Sequence, residues 1–141
     1  MESVLVAIDG SPLADRALEY ALDRYPDAAI TVLHVVDPVE AVYVAEAKGP
    51  SEGRSYVQAA REHGEELCAT ARGLAADRGI EVTTALETGN PAREILRYVE
   101  ADDVDAIVMG SHGRSGLSRV FLGSVAETVL RRSPVPVTVV R

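Results

Sequence analysis

The chain has 141 residues, 47% hydrophobic and 26% charged, with 22 acidic against 14 basic side chains and a net charge of −8. That is the length and apolar content of one folded domain, which excludes a disordered chain, and no apolar run approaches the roughly 20 residues of a membrane helix. The acidic balance excludes a general nucleic-acid binder, because duplex phosphates would be repelled, while one cysteine, Cys68, and a start without a basic signal make a reducing cytoplasm the expected location.

In chain order, β-branched apolar runs alternate with stretches of helical period, and the expectation is five strands and four helices in a single domain over 1–141. Residues 4–8 form the first strand. Ser11 and Pro12 then supply an N-cap and a first helical position, and Ala14, Ala17, Leu18, Ala21, Leu22 and Tyr25 recur at spacings of three and four, the stripe of an amphipathic helix. Residues 30–36 are almost continuously apolar, as in a strand covered on both faces. Residues 37–54, with Pro38, Gly49, Pro50 and Gly53, read as a long irregular loop. A second helix is expected over 55–78, ended by Gly79, and a third strand over 80–86. Asn90 and Pro91 repeat the cap-then-proline signal before a third helix, with Ile95, Leu96 and Val99 on its apolar side. A fourth strand over 104–109 leads into a glycine-rich loop over 110–123, a fourth helix over 124–132 and a final strand over 135–140. Such alternation implies right-handed crossovers and a parallel sheet with helices on both faces. Ligands of such sheets sit beyond the C-terminal strand ends, so the candidate ligand loops are those after strands one, two and four.

Charge is unevenly spread. Residues 1–105 hold 21 acids and 9 bases, whereas residues 106–141 hold Arg114, Arg119, Arg131, Arg132 and Arg141 against Glu127 alone. The last quarter is therefore where an anion is expected. Thirteen of the 14 bases are arginine. That composition suits a salt-rich cytoplasm, where ionic strength screens self-repulsion.

Within that quarter, Gly110 and Gly113 allow backbone amides to approach a ligand, Arg114 adds a permanent charge, and Gly123-Ser124 opens a helix whose N–H groups and dipole favour phosphate. Loop amides, helix terminus and arginine together make a polyphosphate cradle. Taken singly, the glycines read better as a tight turn and Ser124 as an ordinary N-cap; the full spacing shifts that balance. His112, between glycines, suits hydrogen-bond donation better than acid–base work, and no triad forms with His34 or His63. There is no dinucleotide fingerprint and no zinc-ligand spacing, and the absence of a P-loop lysine and of an obvious water-activating carboxylate argues against a fast NTPase. Cys68 reads as a small core residue. A valine-rich last strand, Val135, Val137, Val139 and Val140, is an open sheet edge that invites pairing, and Pro134 and Pro136 suit an edge.

Glycine, two residues, glycine, nine residues, then glycine and serine resembles the nucleotide-binding signature of the universal stress protein family. The likeness extends to Val6-Ala7-Ile8-Asp9-Gly10-Ser11, Leu33-His34-Val35-Val36-Asp37, Met109-Gly110-Ser111-His112-Gly113, Leu122-Gly123-Ser124-Val125 and Pro134-Val135-Pro136-Val137-Thr138-Val139-Val140. The resemblance implies a five-stranded parallel sheet of order 3-2-1-4-5, a Rossmann-like α/β fold of the adenine nucleotide alpha hydrolase-like kind. It implies a homodimer through strand five and bound ATP, with magnesium as a companion ion. AMP, ADP or another adenylated ligand stays open. By matching position, Asp9 and Val35 line the nucleoside end, with an Asx-turn as the plain reading of Asp9. Ala7 stands where some relatives carry proline. Met109, Gly110, His112, Gly113, Arg114, Gly123, Ser124 and Val125 surround the phosphates. The implied role is a nucleotide-dependent sensor or regulatory module for an unnamed protein partner. The alternatives are a slow magnesium-dependent ATP hydrolase, with His112 or Asp9 positioning water, and a dimeric interaction protein with a vestigial site.

Overall fold

A computed structural model describes residues 2–112 and 122–141. Among them are five strands, β1 (Ser3–Ile8), β2 (Ala29–Val36), β3 (Thr83–Thr88), β4 (Ala106–Gly110) and β5 (Val137–Val140), and five helices, α1 (Pro12–Arg24), α2 (Val39–Lys48), α3 (Pro50–Ala76), α4 (Pro91–Ala101) and α5 (Ser124–Arg132). All strands are parallel, in the order β3-β2-β1-β4-β5. The order reverses between β1 and β4, which leaves a gap at their C-terminal ends where the following loops diverge.

The central strands β1, β2 and β4 bury both faces, which is why they read as nearly unbroken apolar runs. Alternate residues point to opposite sides. Val4, Val6, Ile8, Ile30, Val32 and Val108 pack with α1 and α3, while Leu5, Leu33, Ile107 and Met109 pack with Ile95 and Val99 of α4 and Ala126 and Val129 of α5. The long α3 comes closest to the sheet at Gly64, where a Cβ would lie 2.7 Å from Leu86 and 2.8 Å from the ring of His34. There His34 is buried and satisfied, its Nδ1 2.9 Å from the Ile8 carbonyl oxygen. Cys68, one turn further along α3, is also buried, and burial pushes its thiol above the ordinary value, so it stays protonated.

The largest correction to the sequence reading concerns 37–54. It is helical nearly throughout: α2 fills most of it, and α3 starts at Pro50 rather than at residue 55. Its prolines and one glycine mark joints and do not fall inside the helices. Pro38 precedes α2, Gly49 at φ +104° makes the break, and Pro50 takes the first turn of α3, where a missing N–H costs nothing. Gly53 marks the close approach of the two helices, since a Cβ there would fall 2.8 Å from that of Ala45. The fold therefore has a helix more than expected.

Three strand starts also shift. Ile80 donates its N–H to the Ala75 carbonyl at 3.0 Å and so belongs to the turn ending α3, which delays β3 to Thr83. Val104 likewise bonds back to Val99 at 3.3 Å, ahead of β4. Ser133 closes a side-chain turn on Val135, so Pro136, expected inside the last strand, precedes β5 as Pro134 does.

Candidate nucleotide site

Three helices begin around the gap between β1 and β4. Ser11 caps α1, its Oγ accepting from the Ala14 N–H at 3.2 Å, and Asn90 caps α4, its Oδ1 accepting from the Arg93 N–H at 3.0 Å. At α5 the cap position is Gly123, with no side chain to accept, and Ser124 is the first helical residue. The ordinary N-cap reading of Ser124 is thereby replaced: Ser124 follows the cap, and the first-turn N–H groups have no side-chain cap. Those donors and the positive end of the helix dipole face the gap, the arrangement that attracts anions.

A cavity of about 370 Å³ fills the gap. Ala7, Ile8 and Asp9 come from the end of β1, Leu33 and Val35 from β2, and Met109 and Gly110 from β4; His112, Gly123, Ser124, Val125 and Ala126 form the side toward α5. Asp9, Val35, Met109, Gly110, His112, Gly123, Ser124 and Val125, all singled out in the sequence, thus line one cavity. Gly113 and Arg114 lie outside the described residues. The wall that sequence reasoning missed comes from α4, through Pro91 and Ile95. The loop after strand three was not expected to contribute. It does because α4 packs beside α5 on the same sheet face, which only the strand order decides. The Asn90-Pro91 cap signal marked the helix start but not its destination.

The cavity is divided chemically. Leu33, Val35, Ile95 and Met109 make an apolar side suited to a flat heterocycle. Asp9 folds into the Asx-turn expected of it, Oδ1 accepting from the Ser11 N–H at 2.9 Å. An ionised carboxylate only accepts, so toward a ligand it selects hydroxyl donors or a cation and repels phosphate. The negative charge of Asp9 is also felt by its neighbour: burial, then Glu19 and Asp9, hold Asp15 above its ordinary carboxylate value. An anion would be favoured on the opposite side, where His112, Gly123 and Ser124 meet the start of α5.

Two of the signature glycines prove to be needed by packing. A Cβ at Gly110 would lie 2.9 Å from that of Leu13 in α1, and one at Gly123 would lie 3.0 Å from the His112 Cα and 3.2 Å from the Ser111 carbonyl oxygen. Gly110 is therefore bare for a packing reason that neither the ligand-approach nor the tight-turn reading supplied. The Gly123 N–H also donates to the Ser111 carbonyl at 2.6 Å, while the Ser111 N–H donates to Val140 at 2.8 Å. The chain entering and leaving 113–121 is thus clamped together and tied to β5. Among the described residues no group of three or more His, Cys, Asp or Glu is placed to hold a metal ion.

A doubly wound parallel sheet with a cavity at its switch point and an uncapped helix start facing it defines a class of α/β proteins built to hold small anionic ligands. The pattern of the Universal stress protein family matches residues 1–141, and the chain belongs to that family. It is 36% identical to the universal stress protein YxiE of Bacillus subtilis over 98% of this chain and 97% of that one. Universal stress protein MJ0531 of Methanocaldococcus jannaschii is 33% identical over 99% of this chain and 82% of its own length. Among solved structures, hypothetical protein MJ0577 superposes with a TM-score of 0.84 at 30% identity, over 99% of this chain and 94% of that one. An Arabidopsis thaliana universal stress protein with AMP bound gives 0.70 at 21% identity, over 99% of this chain and 90% of its own. A universal stress protein in complex with cAMP gives 0.67 at 20% identity, over 99% and 97%. At those two identities the likeness is one of fold. No helix among the described residues is long and apolar enough to cross a membrane.

Proposed function

We propose that this protein binds an adenine nucleotide, ATP in the first instance, in the cavity between β1 and β4, and acts as a nucleotide-dependent sensor or regulatory module in a stress response. The observation that carries the reading is the start of α5: alone among the three helix starts around the cavity it has no side-chain cap, and it opens on the cavity beside Ser124 and His112. The base rests on the apolar side with Val35 and Met109, the ribose hydroxyls donate to Asp9, and the phosphates meet Gly110, His112, Gly123, Ser124 and Val125. Gly113 and Arg114 join the phosphate group on the strength of the glycine spacing. AMP and cAMP in the two family structures support an adenine ligand. A magnesium ion would enter with the phosphates, carried on their oxygens and on water. A homodimer through β5 fits the half-buried valines of that edge strand, which pairs on one side with β4.

Calorimetric titration of ATP into the purified protein, with and without magnesium, tests the reading, together with identification of any nucleotide that copurifies. Saturable heat or a bound adenine nucleotide is the expected result. Absence of both at millimolar ATP overturns it. Phosphate release in the same samples would move the protein to the hydrolase alternative.

A further inference from the structure

A second concavity, of about 540 Å³, lies in the trough between α4 and α5. Ala92, Leu96 and Val125 give it apolar surface, and Arg93, Arg97 and Arg132 line it from the two helices. It meets the first cavity at Ser124 and Val125, which line both. Arg97 is engaged by Glu94 at 3.0 Å, whereas among the described residues Arg93 and Arg132 take part in no ion pair. Glu100 is the one acid in the lining.

Two features set these arginines apart from a solvated helix face. They are uncommitted guanidinium groups facing one trough in a chain whose net charge is −8. Arg93 also sits in the first turn of α4, at the positive end of the helix dipole, where a cation is unfavourable unless an anion offsets it. The other groups fit the same guest. The Asn90 amide keeps its N–H₂ free to donate, because its oxygen is used in the cap, and guanidinium planes bind phosphate in a fork and stack on flat bases. Arg93 and Ser124 belong to the first turns of their helices, and Arg132 stands eight residues along α5, about 12 Å further. The trough is thus long enough for a second nucleoside unit beyond the phosphates.

We propose that the ligand is a dinucleoside polyphosphate, with one nucleoside in the β1/β4 cavity, the phosphates passing Ser124 toward Arg93, and the second nucleoside in the arginine trough against Leu96 and Arg132. This rests on the nucleotide reading of the first cavity. The test is calorimetry of ATP and of diadenosine tetraphosphate on the wild type and on the double variant R93Q/R132Q, whose exposed positions leave the fold intact by circular dichroism. The dinucleotide is expected to bind the wild type at least about tenfold more tightly than ATP, and the double variant to lose that margin while its ATP affinity stays within about twofold. Equal affinities on the wild type overturn the proposal, as does a margin that survives in R93Q/R132Q. If ATP binds without a margin, the trough assignment alone falls. If ATP does not bind, both readings fall together.

Discussion

Three helices start around the same cavity, and they start in two ways. At α1 and α4 the chain provides its own acceptor, Ser11 or Asn90, for a first-turn N–H. At α5 the cap is a glycine and the first-turn donors are left facing the cavity. The surroundings differ in charge as well. Near α1 the carboxylates of Asp9, Asp15 and Glu19 crowd together, whereas Glu127 in α5 is already paired with Arg131 at 2.9 Å. A helix start that satisfies itself stabilises the fold, and one left open is available to an anion. In the proposed complex the two kinds would place the phosphates at α5 and the ribose hydroxyls at β1.

The comparison is broken most severely at Gly123. In Gly123→Ala the new Cβ meets backbone of Ser111 and His112, which cannot swing away as a flexible side chain can. The expected cost is about 1–3 kcal/mol of stability by urea unfolding, together with loss of ATP binding. An unchanged unfolding midpoint would show that the clamp between Ser111 and Gly123 gives way freely.

Next come the caps. Ser11→Ala and Asn90→Ala are each expected to lose about 1 kcal/mol, a fall of about 3 °C in the thermal midpoint, with little effect on nucleotide affinity. Ser124→Ala is expected to do the reverse, leaving stability within about 0.5 kcal/mol and weakening ATP about fivefold, the worth of one hydrogen bond. If Ser124→Ala destabilises as much as Ser11→Ala, the distinction between the helix starts collapses.

The smallest effect concerns Asp15. Its carboxyl is raised in the folded state by burial and then by Glu19 and Asp9, so ionising it works against folding. The penalty is absent below the unfolded carboxylate value, sets in as pH rises through it, and is complete above the folded value. Asp15→Asn should therefore unfold at a higher urea concentration than wild type at pH 7, and the gap should close on acidification. A gap that widens at low pH would contradict the assignment.

Much of this was legible in the chain. The continuous apolar strands announced a sheet covered on both faces, and Ser11-Pro12 and Asn90-Pro91 marked two helix starts that the structure places where expected. The family resemblance, anchored on the glycine spacing, singled out eight described residues that line one cavity. These are local signals: side-chain period, cap chemistry and proline position act within a few residues. The helix in 37–54 was hidden because proline and glycine at helix joints look like a loop until their position relative to the turns is known.

Other features depend on chain segments that meet only in the folded state. The α4 wall of the cavity exists because β3 lies outside β2, which brings Pro91 and Ile95 beside α5. Gly110 is bare because Leu13 occupies that space, nearly a hundred positions away in sequence, and the arginine trough forms because Arg93 and Arg132 sit on helices that become neighbours. Five strands, the starts of α1, α4 and α5 and the stretch suited to an anion were written in the sequence, since these follow from neighbours along the chain. The tertiary structure alone decided which helix start faces the cavity and which side chains share it, since that depends on strand order and on how closely the packed backbones approach.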